Sequence, residues 1–406
     1  MSAVIALANA IMFTTYALYY IQALGLNPFQ LVLVGSFLEI VVFVFEIPTG
    51  VLADTYSRRL SVIIAFFIMG VAYIIEGQAM WISHGLLNGA VSLFALVVIS
   101  EMIRGVGETF LSGAEQSWVT DELGEERIGK VFLRASQVQQ AASVAGIVAS
   151  VLLSSVSLNL PYVTGGALYI ALAIYLAAAM RETNYRPVPQ ADRNSWGQMK
   201  ATFNEGISFA KRSPVFILVL IVSLSAGASS EGFDRLWEAH LLTDIGLPRF
   251  GGWNDAVWFG AFSIVSMLLG LLTNEAVIRK ANLDNHAIAR NMMFVLAALK
   301  IMGLILFALA PNLAWALVGF CFLGMLNSVF NPLYAAWLNQ QLESRTRSTL
   351  LSFLSQANAI GQTAGGPLVG WAGVRYTIRV SIVLSACLLL PLVMVFRKLR
   401  KRQEGG

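Results

Sequence analysis

Continuous apolar runs dominate this sequence, and each has about the 20 residues that an α-helix needs to cross the ~30 Å hydrocarbon core of a membrane. Strands of membrane barrels instead alternate apolar and polar residues over about 10 positions, so the pattern favours helices. Polar breaks divide the chain into twelve candidate spans at 3–22, 30–53, 60–80, 88–117, 130–156, 161–180, 214–239, 254–278, 291–310, 313–338, 349–371 and 377–396. The sequence therefore predicts an all-α membrane protein with twelve transmembrane helices.

The composition excludes several classes of protein. Only 12% of the residues are charged and 57% are hydrophobic, whereas a soluble globular chain carries roughly 25% charged residues. The chain lacks the polar surface of a soluble enzyme, a disordered tail or a disulfide-rich secreted module. Its three His residues are scattered without metal-ligand spacing, and no phosphate-binding loop is found. We expect no cofactor, no metal site and no enzyme activity. The alternative is a membrane-embedded enzyme or receptor, and nothing in the sequence supports it.

The positions of the basic residues predict the orientation in the membrane. Most of the 27 Lys and Arg residues lie in alternate polar breaks, from the break after the second span to the C-terminal tail. Because cytoplasmic loops are enriched in Lys and Arg, we expect both termini in the cytoplasm and the chain in the cell inner (plasma) membrane. The net charge of +4 then reflects topology rather than a nucleic-acid partner. The expected partners are the lipid bilayer, protons and a small-molecule substrate, and we expect a monomer.

The chain also shows signs of an internal duplication. A long break, rich in charge and Pro, lies halfway along it, and at a constant shift Trp118 of the first half meets Trp337 of the second. Gln and Gly residues that follow these Trp residues fall in register as well. The predicted organisation is an N-terminal six-helix bundle at 1–181, a cytoplasmic linker at 182–212, a C-terminal six-helix bundle at 213–397 and a cytoplasmic tail at 398–406.

The break after the second span carries a recognisable motif. Residues 50–59 read Gly-Val-Leu-Ala-Asp-Thr-Tyr-Ser-Arg-Arg, which resembles the G-x-L-A-D-x-x-G-R-R signature of the major facilitator superfamily. Ser57 stands where that signature has its second Gly, and a decayed copy of the motif lies at 270–280. With twelve spans and a repeat, the chain is identified as resembling this superfamily over its whole length. The resemblance implies two pseudo-symmetric six-helix bundles and secondary transport by alternating access.

In the superfamily this motif acts as a latch at the inner gate, and the resemblance transfers that role to this chain. We expect Gly50 to permit close helix approach, and Glu46 to pair with basic residues of the gate or to serve in transport. Plain anchoring of the topology is the alternative for the whole cluster. The inner-gate candidates are Glu46, Gly50, Asp54, Arg58, Arg59 and Asp121.

Charged residues inside the spans are the candidates for proton coupling, because ionisable groups at membrane depth are costly and mark function. These candidates are Glu39, Glu101, Arg104, Glu108, Glu231, Asp234 and Arg235. Steps of 3 and 4 residues place Arg104 on one helix face with Glu101 and Glu108, so it can pair with either. The four charges from Glu231 to Glu238 are likewise expected to share one face. Acids expected near the membrane surfaces instead are Glu76, Glu115, Glu238 and Glu275.

Polar and aromatic residues suggest a substrate cavity. The candidates are Phe13, Tyr16, Tyr20, Lys300, Asn327 and Gln356, although an interfacial aromatic belt would also explain Tyr20. The excess of buried acids over bases, together with the aromatic residues, favours proton-coupled efflux of an amphipathic or cationic small molecule. The Arg in the fourth span resembles the motif of drug/proton antiporters. The alternative is a proton-coupled symporter importing a nutrient, metabolite or organic anion.

Overall fold

The computed structural model describes residues 1–123, 125–183, 197, 200, 204, 214–248, 253–280, 286–341 and 347–404. Within these residues all regular elements are helices. The helices are α1 Ser2–Phe13, α2 Pro28–Thr55, α3 Arg58–Gly77, α4 Leu93–Leu111, α5 Ala114–Leu123, α6 Glu125–Val156, α7 Leu160–Ala179, α8 Pro214–His240, α9 Asp255–Lys280, α10 His286–Ala308, α11 Leu313–Gln341, α12 Arg347–Arg375, α13 Ile378–Leu388 and α14 Leu390–Glu404. A short helix, Tyr16–Leu18, and π-helical segments at Tyr19–Ala23, Trp81–Leu86 and Leu241–Ile245 extend or follow these helices.

Helices occupy all twelve positions at which the sequence predicts a span, and the all-α membrane fold is confirmed. Among the described residues, 10 segments are long and apolar enough to cross a membrane. The two remaining predicted spans coincide with α4 and α12. Three charged residues lower the hydropathy of α4, and frequent Gly, Ser, Asn and Gln residues lower that of α12.

The chain divides into two compact units. Unit 1 comprises Met1–Leu26, Phe37–Lys200 and Asn254–Gly260, and unit 2 comprises Asn27–Ser36, Ala201–Trp253 and Ala261–Gly406. The predicted linker, 182–212, lies almost entirely outside the described residues.

Small residues hold the helices of unit 1 close together. A Cβ atom added to Gly70 of α3 would lie 2.6 Å from Cγ1 of Ile170 and 2.8 Å from the carbonyl oxygen of Gly166 on α7. Gly146 of α6 likewise faces α1, where an added Cβ would lie 2.6 Å from the Cβ of Ala10. Such contacts replace the hydrophobic drive that is missing inside a membrane. They also bring the aromatic residues of α1, α3 and α7 into one core.

In unit 2 the helix α8 packs against α12 in the same way. A Cβ atom on Gly365 of α12 would lie 2.5 Å from the Cα of Ala228 on α8. A Ser hydroxyl completes this side of the packing, because Ser229 Oγ donates a 2.8 Å hydrogen bond to the carbonyl oxygen of Ser385 on α13. These contacts fix the rotation of α8 about its axis and therefore the direction in which its charged residues point.

Candidate functional site

A buried group of charges lies in unit 1, and we call it the α4 cluster: Glu76, Glu101, Arg104 and Glu108. Arg104 donates to Oε2 of Glu101 from Nη2 at 2.5 Å and from Nε at 3.0 Å. Its Nη1 donates to Oε1 of Glu108 at 2.5 Å. The spacing of these residues predicts a pair with either acid, and Arg104 bonds to both.

Glu76, at the last turn of α3, joins this cluster although the sequence analysis expects it near a membrane surface. That expectation is wrong, because Glu76 is 0% exposed. Its Oε1 accepts a hydrogen bond from the hydroxyl of Tyr20, and its charge acts on that of Glu101. One local signal of this burial is Gly77, where an added Cβ would lie 2.9 Å from the Cβ of Tyr162.

Aromatic rings surround the guanidinium of the α4 cluster. The Cζ of Arg104 lies 5.7 Å from the ring centroid of Phe13 and 5.8 Å from that of Tyr73, distances at which a cation is attracted by an aromatic face. Tyr16 contacts Tyr20 edge-on at 5.7 Å, and both side chains are buried. Phe13, Tyr16 and Tyr20 therefore lie beside this cluster, and an interfacial belt does not account for the burial of Tyr16 and Tyr20.

Three polar atoms around the α4 cluster lack a hydrogen-bond partner within the described residues. They are Oε2 of Glu76, Oε1 of Glu101 and the hydroxyl of Tyr162. Buried polar atoms are nearly always satisfied, and an exception calls for an explanation. The cluster also holds two buried carboxyl groups, those of Glu76 and Glu101, against one buried guanidinium, and a net buried charge is strongly unfavourable. A proton held on a carboxyl group would relieve both problems.

A cavity of about 400 Å³ lies within unit 2. Its wall combines charged, amide, hydroxyl and apolar side chains, contributed by Ala226, Ser229, Ser230, Phe233, Asp234, Lys300, Leu304, Leu323, Asn327, Asn331, Asn358 and Leu389. Cavities of roughly 300–1,000 Å³ with a few polar groups are typical of small-molecule sites. The structure therefore brings together three residues singled out in the sequence, Asp234, Lys300 and Asn327.

Two of the other candidates on α8 lie apart from this cavity. Glu231 and Arg235 form an ion pair at 3.5 Å, and this pair packs against Gly35 of α2, where an added Cβ would lie 2.8 Å from Nε of Arg235. The four charges of α8 thus do not act as one face, because Asp234 lines the cavity while the Glu231–Arg235 pair faces α2. Glu238, expected near a surface, is fully buried.

Two further candidates fall outside both groups. Gln356 is buried at 3% exposure and is not part of the cavity wall. Glu39 lies half-buried on α2 in unit 1. Of the acids expected near a surface, Glu275 is exposed and pairs with Arg279 at 2.6 Å.

The inner-gate candidates meet at the junction of α2, α3, α5 and the end of α7. Arg58 bridges two carboxylates, with Nη2 3.0 Å from Oδ1 of Asp54 and Nη1 2.5 Å from Oδ2 of Asp121. Arg59 instead donates to the carbonyl oxygens of Met180 at 2.7 Å and Ala177 at 2.6 Å. We call Asp54, Arg58, Arg59 and Asp121 the α2–α3 latch.

Glu182, which no sequence pattern singled out, completes this junction. Its Oε1 accepts from the backbone N–H of Arg59 at 3.0 Å, and its Oε2 accepts from the hydroxyl of Ser57 at 2.6 Å. Ser57 also caps α3 by accepting a hydrogen bond from the N–H of Leu60 at 2.9 Å. The Ser that replaces the second Gly of the motif therefore has a structural use of its own.

The two remaining gate residues differ from expectation. Gly50 does not serve a close helix approach, because an added Cβ would meet no atom within 4 Å. The tight contacts of α3 are made instead by Gly70, farther along the chain. Glu46 accepts a hydrogen bond from the hydroxyl of Ser112 at 3.2 Å and lies outside the ion pairs of Arg58.

One histidine belongs to a polar group rather than being isolated. His240 is fully buried, its Nδ1 lies 2.9 Å from Oδ2 of Asp244, and its Nε2 lies 3.3 Å from the carbonyl oxygen of Phe307. In the part of the chain that the structure describes, no group of three or more His, Cys, Asp or Glu residues could hold a metal ion.

A family model described as Major Facilitator Superfamily matches residues 1–283. The chain belongs to this superfamily. The resemblance carried by residues 50–59 is thereby confirmed, and the protein is a multi-pass membrane transporter rather than an enzyme.

Relatives of this superfamily member align along nearly the whole chain. An uncharacterized MFS-type transporter, YxaM, of Bacillus subtilis (strain 168) is 23% identical over 398 residues, which is 97% of this chain and 93% of that protein. The crystal structure of a mutant of the nucleoside transporter NupG matches with a TM-score of 0.76 at 16% identity, covering 98% of this chain and 97% of the NupG chain. A bacterial homologue of the human lysosomal transporter Spinster, in an inward-facing and unoccupied conformation, matches with a TM-score of 0.72 at 15% identity, covering 98% and 95% of the two chains. At such identities these structures support the fold alone.

Proposed function

We propose that this protein exports an amphipathic or cationic small molecule across the plasma membrane in exchange for protons, by alternating access, as drug/proton antiporters do. The α4 cluster carries the proposal. It holds the buried carboxyl groups of Glu76 and Glu101, which are 0% and 1% exposed, beside a single buried guanidinium in unit 1. A buried excess of acid is unfavourable unless it binds a proton or a cation.

The geometry of the cluster suits proton exchange. Arg104 is held by Glu101 and Glu108 at once, so protonation of one acid leaves the guanidinium with a partner. Glu108 is partly exposed, with 36% of its side chain accessible, whereas Glu101 is enclosed. A proton arriving at Glu108 could therefore be passed to the interior acids through a rearrangement of Arg104, with Glu101 and Glu76 as the inner acceptors.

The α2–α3 latch supports the gating part of the proposal. Arg58 joins the end of α2 to α5 through two carboxylates that remain partly exposed. Ion pairs in such a setting contribute roughly 0–1 kcal/mol, so they can break and reform during a transport cycle. The latch residues act as an inner gate, with both chain termini in the cytoplasm.

Import by proton symport is the second candidate, and Lys300 in the wall of the unit 2 cavity favours it. A base in a substrate cavity suits an organic anion or the acidic group of a metabolite. Antiport and symport differ in the direction in which the proton moves relative to the substrate, so one measurement separates them.

The test uses purified protein in liposomes that contain a pH-sensitive dye and start without a gradient. The probes are trimethylated tryptamine, a permanently charged amphipathic cation, and tryptophan, with protein-free liposomes as the control for leakage. Antiport predicts that entry of a probe drives protons out and makes the lumen alkaline. Acidification would establish symport instead, and no pH change with any probe would contradict proton coupling.

A further inference from the structure

We infer that the unit 2 cavity binds a zwitterion, with the acidic group of the ligand at Lys300 and its amine at Asp234. This inference rests on the proposed function only for calling the ligand a transport substrate. The two charged side chains come from different helices, Asp234 from α8 and Lys300 from α10, and both line the same cavity of about 400 Å³. A purely cationic ligand would leave Lys300 facing a like charge.

The Lys300 ammonium is positioned for a ligand rather than for an ion pair within the protein. Its Nζ lies 4.7 Å from the centroid of the Phe330 ring. This cation–π contact helps to hold the Lys300 side chain in place. Within the described residues no carboxylate oxygen lies within 4.0 Å of it. The charges of Lys300 and Asp234 nevertheless act on each other across the cavity. Lys300 and Asp234 therefore place opposite charges at separate points of the cavity wall.

Amide groups in the wall of the same cavity can orient a ligand. Asn327 and Asn331 lie four residues apart on α11 and so share one face of that helix. The side-chain amide of Asn358 already makes hydrogen bonds within the protein. Its Nδ2 donates to the carbonyl oxygen of Ser223 at 3.1 Å, and its Oδ1 accepts from Gln362 at 2.8 Å. The hydrogen bonding of a ligand would therefore fall to the two α11 amides.

Most of the remaining wall is apolar and suits the body of an amphipathic molecule. Phe233, Leu304, Leu323 and Leu389 all line the cavity. The hydroxyl of Ser230 donates to its own helix, at 3.0 Å from the carbonyl oxygen of Gly227, so it adds no free donor there. A zwitterion with an aromatic or aliphatic side group matches such a wall better than a sugar-like molecule, which would need hydrogen-bonding groups on every side.

The test measures equilibrium binding of indole compounds that differ mainly in the charged groups they carry. Tryptophan carries both charges, tryptamine only the positive one and indole-3-propionate only the negative one, while N-acetyltryptophan amide is neutral. Binding to the detergent-purified full chain is followed by calorimetry and by thermal stabilisation. We expect tryptophan to bind at least about tenfold more tightly than either singly charged analogue.

Charge-neutralising variants should redirect the preference. Lys300→Gln should abolish the advantage of tryptophan over tryptamine, and Asp234→Asn should abolish its advantage over indole-3-propionate. Lys300→Arg should retain the wild-type order, which shows that the charge rather than the fold is responsible. Arg279→Gln and Glu275→Gln, at exposed positions of α9, are the matched controls and should leave all four affinities unchanged.

The outcomes separate this inference from the proposed function. A higher affinity for tryptamine than for tryptophan, or equal affinities for all four compounds, would overturn the zwitterion site. This holds even if probe-driven proton movement is found in liposomes. No binding by any of the four compounds would overturn it as well. The predicted charge preference without proton movement would uphold the site and reject the antiporter.

Discussion

Arg104 directs two N–H groups at a single carboxylate oxygen of Glu101, at 2.5 and 3.0 Å, and leaves the other oxygen of that carboxylate without a partner among the described residues. A bidentate contact usually engages both oxygens of the acid. The one-sided contact found here occupies Oε2 and leaves Glu101 able to hold a proton on Oε1. Both protonation states of the acid are then compatible with the same hydrogen bonds from Arg104 to Oε2.

Replacing Glu101 with Gln should uncouple transport without unfolding the protein. The amide can still accept from Arg104 through its oxygen, but it cannot take up a proton. We expect gradient-driven accumulation of a probe to fall by about tenfold or more, since couplings between sites typically amount to roughly 5–150-fold. Counterflow exchange, which needs no gradient, should persist. Glu275→Gln is the control and should retain both, and full accumulation by Glu101→Gln would exclude this acid from coupling.

Tyr20→Phe should impair coupling through Glu76. The substitution removes the hydroxyl that donates to Glu76 and leaves a buried carboxyl oxygen unsatisfied, which costs about 1–3 kcal/mol. We expect a lower melting temperature and weaker gradient-driven transport. The double variant Tyr20→Phe/Glu76→Gln separates the two causes, because removing the acidic charge should restore part of the stability. A Tyr20→Phe protein with wild-type stability and coupling would show that this contact carries neither.

Arg58→Gln should open the cytoplasmic side more often. The variant loses both ion pairs of the α2–α3 latch, yet its stability should change by about 1 kcal/mol or less, because partly exposed pairs contribute little. Labelling of a cysteine introduced at Ser112 with a hydrophilic thiol reagent should become faster. Lys398→Gln, which removes a basic residue near the C-terminus, is the control. Unchanged labelling by Arg58→Gln would favour a plain anchoring role for the latch.

Substitution by alanine should destabilise the protein at one glycine and not at another. Gly70→Ala should destabilise the protein by about 1–3 kcal/mol, because the new Cβ would sit 2.8 Å from a backbone carbonyl oxygen of α7. Gly50→Ala adds a Cβ in open space and should be neutral or stabilising by up to about 1 kcal/mol, the helix penalty of Gly relative to Ala. Thermal unfolding in detergent measures both. Equal effects would contradict the difference in packing.

The helices and the superfamily could be predicted from the sequence because both are recognised from local features of the chain. Apolar runs report membrane length directly, and the motif at 50–59 is contiguous. The pairing of Arg104 with its neighbours on α4 was accessible for the same reason, since spacing within one helix defines which side chains can meet.

The residues whose surroundings were predicted wrongly are those whose neighbours depend on packing between helices. Glu76 lies near a helix end, where hydropathy suggests solvent, but Tyr20 from the first span covers it. Asp234 and Arg235 point about 100° apart on α8, and the packing of α8 decides that Asp234 lines the cavity while Arg235 lies against α2. Gly50 belongs to a motif in which close approach is expected, and its open surroundings are a property of the folded helices. No linear pattern contains that information.

The most direct test of the central claim, that the α4 cluster holds the exchanged proton, is calorimetry of ligand binding in buffers of different ionisation enthalpy. The tightest-binding indole compound serves as the ligand, at about neutral pH. Antiport predicts that binding to the wild-type protein releases about one proton by linkage, and that Glu101→Gln releases none while still binding the ligand. Equal proton release by the two proteins would contradict the account.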